Sequence, residues 1–171
     1  IMAAFRASLI AEIRNNYAIR MICKKVNSLI YESVERENYV TAVYGVLDSK
    51  NDILTFSNCG HNRPILLRKD GRVEYLTEGG PALGVIPDSD YEERPVYLRS
   101  GDLILLYTDG VTEANNSNNE EYGINRLIDT LRMYKKLRSS EILLKVNEKV
   151  REFASDAHIC DDLTMIALKK L

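Results

Sequence analysis

The feature that most constrains the fold is a short apolar run, LILLY at residues 103–107, that ends in Thr108-Asp109-Gly110. A run of this length, preceded by the turn sequence Ser100-Gly101-Asp102, is typical of a strand buried on both faces. The sequence therefore predicts an inner strand with an aspartate where the chain leaves it.

Hairpin patterns surround this strand in the sequence. Residues 39–48 are rich in β-branched and aromatic side chains, and residues 52–60 follow a turn as the partner strand. Two further apolar segments, 63–69 and 72–77, flank Asp70-Gly71, which is a strong two-residue hairpin signal. We expect these four strands in meander order.

Helical periodicity is confined to separate blocks. Segments 2–14 and 19–35 read as helices, the second with an apolar stripe formed by Ile22, Val26, Leu29, Ile30 and Val34. A third helix follows a polar loop and carries Ile124, Leu127, Ile128 and Leu131. Ser140 is predicted to cap a fourth helix, and the last strand lies within 163–171. This order predicts a single α+β domain over 1–171, with antiparallel sheets covered by helices.

Composition excludes several classes of function. The net charge of −2 provides no basic field for nucleic acid, and no apolar run approaches the length that spans a membrane. The three cysteines, Cys23, Cys59 and Cys160, are odd in number and scattered, unlike the disulfide framework of a secreted protein. We expect a cytoplasmic protein with reduced thiols.

Two acidic motifs stand at predicted strand ends. Asp109-Gly110 follows the buried strand, and Asp161-Asp162 precedes the last one. A carboxylate at the end of a buried strand is costly unless it is paired or binds a cation, and Mg²⁺ and Mn²⁺ favour oxygen ligands. Structural roles, a turn at Asp109 and a strand entry at Asp161 or Asp162, explain the same pattern equally well.

Six segments in order resemble the SpoIIE/RsbU-type branch of the metal-dependent (PPM) protein phosphatases. They are YVTAVYGVLD, FSNCGHNRPILL, GGPALGV, SGDLILLYTDGVTEANN, EEYGINRL and DDLTMIALK. The resemblance implies an antiparallel β-sandwich flanked by helices. It implies a binuclear Mn²⁺ or Mg²⁺ centre held by Asp109, Gly110 and Asp161. Asp162, His61 and Asn62 then become candidates for supporting or substrate-side positions.

The chemistry implied by this resemblance is hydrolysis of phosphoserine or phosphothreonine by a water that bridges two metal ions. The substrate in this branch is a phosphorylated anti-anti-sigma (STAS) protein. An upstream sensor or response-regulator domain is expected to control the helices within residues 1–35.

The chain also departs from the family pattern. Members carry a GDxSGHG-type metal motif before the helix that resembles MAAFRA, and this sequence begins just after that point. The expectation is a domain without its N-terminal strands, with an incomplete ligand set, weak metal binding and apolar surface that favours a homodimer.

Two alternatives to an active phosphatase stay open. The first is a catalytically inactive phosphatase-like module that binds a phosphoprotein. The second is a zinc site formed by Cys59, His61, His158 and Cys160, whose spacing is unusual for zinc. The segment GGPALG at 79–84 lacks the context of a phosphate-binding loop and is predicted to be a flexible loop over the substrate face.

Overall fold

The computed structural model describes residues 1–15, 18–33, 38–154 and 162–171. Its helices are α1 (Met2–Ile13), α2 (Ile19–Ser33), α3 (Asp109–Thr112), α4 (Gly123–Tyr134) and α5 (Ser139–Ala154). Its strands are β1 (Ala42–Asp48), β2 (Ile53–Cys59), β3 (Ile65–Leu67), β4 (Val73–Tyr75), β5 (Gly79–Gly80), β6 (Arg94–Tyr97), β7 (Leu103–Tyr107) and β8 (Met165–Lys169). They fall into two compact units, residues 1–61 with 77–98 and residues 62–76 with 99–171.

The first unit packs helices α1 and α2 with one four-stranded sheet. Strand β2 is the centre of this sheet, since it pairs with β1 and β6 antiparallel and with β5 in parallel. The apolar stripe of α2 contributes Ile22, Val26 and Ile30 to the core, whereas Leu29 is exposed at its edge. Helix α1 adds the partly buried Phe5 and Leu9 to the same core.

The second unit contains a sheet in the order β4-β3-β7-β8. Strand β7 is almost entirely buried, as its apolar run predicts, and it pairs antiparallel with both β3 and β8. Helices α4 and α5 add six buried side chains to the core of this unit, Leu127, Ile128, Leu131, Ile142, Val146 and Val150. Strand β7 therefore lies between two partner strands, and a turn adjoins each of its two ends.

The α+β class is confirmed, but the meander is wrong. The two hairpins form as predicted, yet β2 and β3 belong to different sheets. The fully buried β3 pairs instead with the equally apolar β7, which is the match that buries both strands. Whether residues 1–171 act as one domain stays a prediction.

The predicted cap at Ser140 is also wrong. Helix α5 begins at Ser139, which places Ser140 inside the helix. The carboxylate of Glu141 instead accepts the backbone N–H of Arg138 at 2.8 Å. A carboxylate in the first turn can take over the capping role because it faces unpaired N–H groups.

The glycine-rich segment at 79–84 is held in place along the sheet of the first unit, contrary to the predicted flexible loop. Gly79 pairs with Asn58, and a Cβ at Gly79 would lie 1.9 Å from the Asn58 carbonyl oxygen. Leu83 exchanges two backbone hydrogen bonds with Val40 at 2.8 and 2.9 Å, and the Gly84 N–H donates to the buried Asn27 Oδ1 at 2.9 Å. Close backbone approach therefore explains the first glycine of this segment.

Candidate functional site

The C-terminal end of β7 leads to Asp109, the candidate metal ligand of the second unit. Tyr107 is buried, and Asp109 is exposed as the first residue of the single-turn helix α3. The Asp109 carboxylate accepts the N–H of Gly110 at 3.0 Å, and the Asp109 carbonyl accepts the N–H of Glu113 at 2.8 Å. The backbone is fixed by this turn while the carboxylate faces solvent.

Thr108 ties this end of β7 to the beginning of β8. Its hydroxyl donates to the Asp162 carbonyl at 3.0 Å and accepts the Thr164 N–H at 3.1 Å. The Thr108 N–H donates to the Thr164 carbonyl at 3.1 Å. Because β7 and β8 are antiparallel neighbours, the end of one strand lies beside the start of the other. Asp109 and the exposed Asp162 therefore occupy the same edge of the sheet.

The donor chemistry at this edge fits a hard divalent cation. Asp109 and Asp162 both present exposed carboxylates, and oxygen ligands are the ones that Mg²⁺ and Mn²⁺ prefer. Within the described ranges no group of three or more His, Cys, Asp or Glu side chains is gathered for a metal. Asp161, the other predicted ligand, lies outside these ranges. The described residues thus provide part of a ligand set.

The opposite end of β7 carries a second aspartate in very different surroundings. Asp102 is 2% exposed and accepts hydrogen bonds from Arg68 Nη1 at 2.8 Å and from the N–H groups of Lys69 and Arg99, both at 3.0 Å. Arg68 also donates through Nε to Glu74 at 2.7 Å. Glu74 and then Asp102 raise the pKa of the Arg68 guanidinium. Both oxygens of Asp102 are therefore committed to holding two turns together.

His61 lies in the first unit, where its contacts are local. Its N–H donates to Asn58 Oδ1 at 2.8 Å, its carbonyl accepts Asn58 Nδ2 at 3.0 Å, and its Nδ1 lies 3.0 Å from Thr41 Oγ1. Gly60 before it has φ +70°, and a Cβ there would lie 2.6 Å from the Ala82 nitrogen. These bonds fix the turn. Substrate-side roles for His61 and Asn62, which begins the next segment, stay predictions.

Two positioning residues, Thr108 and Asn58, stand in the sequence only as members of longer motifs, and neither is among the predicted functional residues. A signal existed for Asn58, because an asparagine three residues before a loop histidine has the spacing of a local side-chain to backbone hydrogen bond. No local signal marks Thr108, since its partners Asp162 and Thr164 come more than fifty residues later in the chain.

The alternative zinc site stays a prediction. Cys59, one of its four proposed ligands, is buried in the core of the first unit. His158 and Cys160 lie outside the described residues.

A membrane-spanning helix is absent from the described part of the chain, since none of its helices is both long and apolar enough.

Solved structures share this fold. The SiaA-PP2C domain of Pseudomonas aeruginosa matches 98% of this chain and 68% of its own, with a TM-score of 0.83 and 19% identity. The catalytic domain of PstP in complex with two manganese ions matches 95% of this chain at a TM-score of 0.63 and 16% identity. RsbX in complex with magnesium matches with a TM-score of 0.63 and 18% identity. The class defined by this architecture is the PP2C-type phosphatase fold.

Sequence relatives place the chain more closely. The family described as stage II sporulation protein E (SpoIIE) matches residues 1–170, so the chain belongs to the SpoIIE family of PPM-type serine/threonine phosphatases. Protein IcfG of Synechocystis is 32% identical over 130 residues, and phosphoserine phosphatase RsbU of Bacillus subtilis is 25% identical over 152 residues. These matches cover 76% and 87% of the chain but only 20% and 44% of the two relatives.

Proposed function

We propose that the protein is a metal-dependent phosphatase that removes phosphate from phosphoserine or phosphothreonine in a protein substrate. The observation that carries the proposal is the exposed Asp109 carboxylate at the end of the buried strand β7. The neighbouring Thr108 bonds to the carbonyl of Asp162, so this strand end lies beside the segment that contains Asp161 and Asp162. Membership of the SpoIIE family supports it, as does a relative named phosphoserine phosphatase.

In this proposal Asp109, the main chain at Gly110 and Asp161 hold Mn²⁺ or Mg²⁺. Such ions, when bound, supply an activated water as nucleophile and neutralise charge on the phosphate. Asp109 contributes a charged carboxylate. Among the described residues, it forms no ion pair with a lysine, arginine or histidine side chain. Thr108 fixes the spacing between the two strand ends. Asp162, His61 and Asn62 are proposed to act in the surroundings of the site, on the substrate side.

The proposed substrate is a STAS-type anti-anti-sigma phosphoprotein, and an upstream sensor or response-regulator domain is proposed to control the helices within residues 1–35. Support comes from the relatives RsbU and RsbP of Bacillus subtilis, which are both named phosphoserine phosphatases. A cytoplasmic location, a homodimer and a single functional domain over residues 1–171 belong to the same proposal.

Phosphate release from a phosphoserine peptide and from a phosphorylated STAS protein, measured with the intact protein, tests this function. Release is expected with Mn²⁺ or Mg²⁺, is expected to stop with a chelator, and is expected to return when metal is restored. Faster release from the STAS protein supports the substrate. Binding of the phosphopeptide without any release would identify the inactive module instead, and release that persists in chelator would contradict the metal requirement.

A further inference from the structure

An open cavity of about 290 Å³ lies at the N-terminal end of β7, within the second unit. Its lining has four cationic side chains and two carboxylates, which are Arg68, Lys69, Arg72 and Arg99 with Asp70 and Asp102. The lining is therefore positively charged, although the net charge of the chain is −2. Asp109 lies roughly 20 Å away along the strand, at a rise of about 3.3 Å per residue. The cavity is thus separate from the candidate metal site.

The base of this cavity is a buried hydrogen-bonded frame. Asp102 accepts Arg68 Nη1 at 2.8 Å and the backbone N–H groups of Lys69 and Arg99, both at 3.0 Å. The stem of Lys69 lies over Gly101, where an added Cβ would lie 3.0 Å from Lys69 Cγ. The backbone on both sides of the cavity is therefore fixed, and a fixed binding site loses less conformational entropy when a ligand binds.

Two of the four cationic side chains already have carboxylate partners. Arg68 and Arg72 are each paired with an aspartate of the lining, both at 2.8 Å, and Arg68 also pairs with Glu74 at 2.7 Å. Lys69 and Arg99, by contrast, are exposed and form no ion pair among the described residues. These two side chains are therefore available to an anion that enters the cavity.

The end of helix α4 adds positive charge beside the cavity. Lys135 Nζ donates a hydrogen bond to the Lys69 carbonyl at 3.1 Å, and its charge offsets that of Glu74, which lies outside the lining. The pKa of the Asp70 carboxyl is lowered, first by the hydrogen bond from the Arg72 N–H and further by the charges of Arg72 and Lys135. The excess of positive charge therefore persists around the one exposed carboxylate of the lining.

The chemistry of the lining fits a phosphate group. A guanidinium binds phosphate through two parallel N–H groups, and a lysine ammonium binds it as a point charge. Ser100 adds an exposed hydroxyl to the same lining. The volume is at the small end of the range for ligand pockets, which is about 300 to 1,000 Å³. The lining residues include no aromatic side chain, so a nucleotide base has no surface on which to stack.

We propose that this cavity binds the doubly charged phosphate group of free phosphate or of a phosphorylated serine, through Lys69 and Arg99. The inference is carried by two cationic side chains without carboxylate partners, whose backbone N–H groups are both held by the buried Asp102. It does not depend on the proposed phosphatase activity, because the cavity lies at the other end of β7 from Asp109.

Calorimetric titration of the intact protein with inorganic phosphate tests this site. A chelator is present, so that phosphate cannot bind through a metal ion near Asp109, and chloride keeps the ionic strength constant. One saturable site is expected, and Lys69→Gln and Arg99→Gln should each weaken it by roughly fivefold or more. Both variants retain the N–H that bonds to Asp102, and their melting temperatures check the fold. Absence of saturable binding to the wild type would overturn the proposal.

Lys136→Gln is the matched control for a diffuse electrostatic attraction. Lys136 is exposed at the end of α4, in the same basic surroundings, but it does not line the cavity. Its loss should leave the affinity for phosphate within about twofold of the wild type, because a charge outside a site acts on it only through screened, longer-range attraction. Equal weakening by Lys136→Gln, Lys69→Gln and Arg99→Gln would mean that phosphate has no defined site here.

A phosphoserine peptide and its unphosphorylated form, titrated in the same chelated buffer, separate the two sources of phosphate. Tighter binding of the phosphopeptide than of inorganic phosphate, weakened by Lys69→Gln and Arg99→Gln, assigns the cavity to a phosphorylated polypeptide. Equal affinities for the phosphopeptide and inorganic phosphate assign it to free phosphate. If the unphosphorylated peptide bound as tightly as the phosphopeptide, recognition of phosphate would be contradicted.

Discussion

The two ends of strand β7 carry aspartates in opposite circumstances. At the N-terminal end, Asp102 is buried and accepts hydrogen bonds from Arg68, Lys69 and Arg99. At the C-terminal end, Asp109 is exposed, and its carboxylate bonds only to the neighbouring Gly110 N–H among the described residues. Each aspartate is next to a glycine and within two residues of the same apolar run, so their difference lies in the surroundings that the fold gives them.

This contrast shows how a carboxylate that stabilises the fold differs from one available for chemistry. Asp102 replaces its lost hydration with three protein donors, one of which, Arg68, is also its charge partner. A buried carboxylate requires such partners. Asp109 keeps its hydration and lone pairs, so it remains free to accept a cation. The following predictions test this division between the two ends, beginning with the largest expected effect.

Asp109→Asn is expected to reduce phosphate release by roughly 100- to 1000-fold, because losing one carboxylate ligand removes several kcal/mol of charge stabilisation in the transition state. Its melting temperature in the absence of metal should stay within about a degree of the wild type, since the side chain is exposed. Turnover and thermal unfolding, measured on the same sample, check both parts. Asp129→Asn, the same change at an exposed site of α4, is the matched control and should alter neither.

Asp102→Asn is expected to reduce stability and to leave turnover largely unchanged, the reverse of Asp109→Asn. It should lower the free energy of unfolding by about 2 to 4 kcal/mol, because it removes the charge that pairs with the largely buried Arg68 and places an amide N–H₂ against existing donors. Urea unfolding measures the loss. Turnover per folded molecule should stay near that of the wild type. Asp70→Asn, where the partner Arg72 is also exposed, serves as a control and should have little effect. Equal stability of the Asp102 variant and its control would remove the distinction between the two ends.

Much of this arrangement was predictable from the sequence because the signals are local. The continuous apolar run 103–107 predicts the buried strand, the alternating pattern and the Asp70-Gly71 turn predict the hairpins, and the residue stripes predict α2 and α4. The place of Asp109 at the end of β7 also follows from its position two residues after that run.

What the sequence could not reveal are the contacts between distant segments. The partition of the strands into two sheets depends on β3 choosing β7, and the burial of Asp102 depends on Arg68, which lies far away in the chain. The burial of Cys23 and Cys59 in one core likewise follows from the packing of α2 on β2. The role of Asp161 stays a prediction, as it lies outside the described residues.

The link between the two strand ends should show the smallest effect and the most specific one. Thr108→Val keeps the shape of the side chain but removes the hydroxyl that bonds to the Asp162 carbonyl and the Thr164 N–H. The free energy of unfolding should fall by about 1 kcal/mol. Turnover should fall by roughly five- to tenfold, because the Asp109 edge and the Asp162 segment lose their fixed spacing. Raising the metal concentration should recover part of this loss, which a purely structural role would not allow. Thr77→Val, at an exposed position, should leave both quantities unchanged. If Thr108→Val lost stability but retained full turnover at low metal concentration, the threonine would belong with Asp102 as a structural residue, and the division between the two ends of β7 would begin at Asp109 itself.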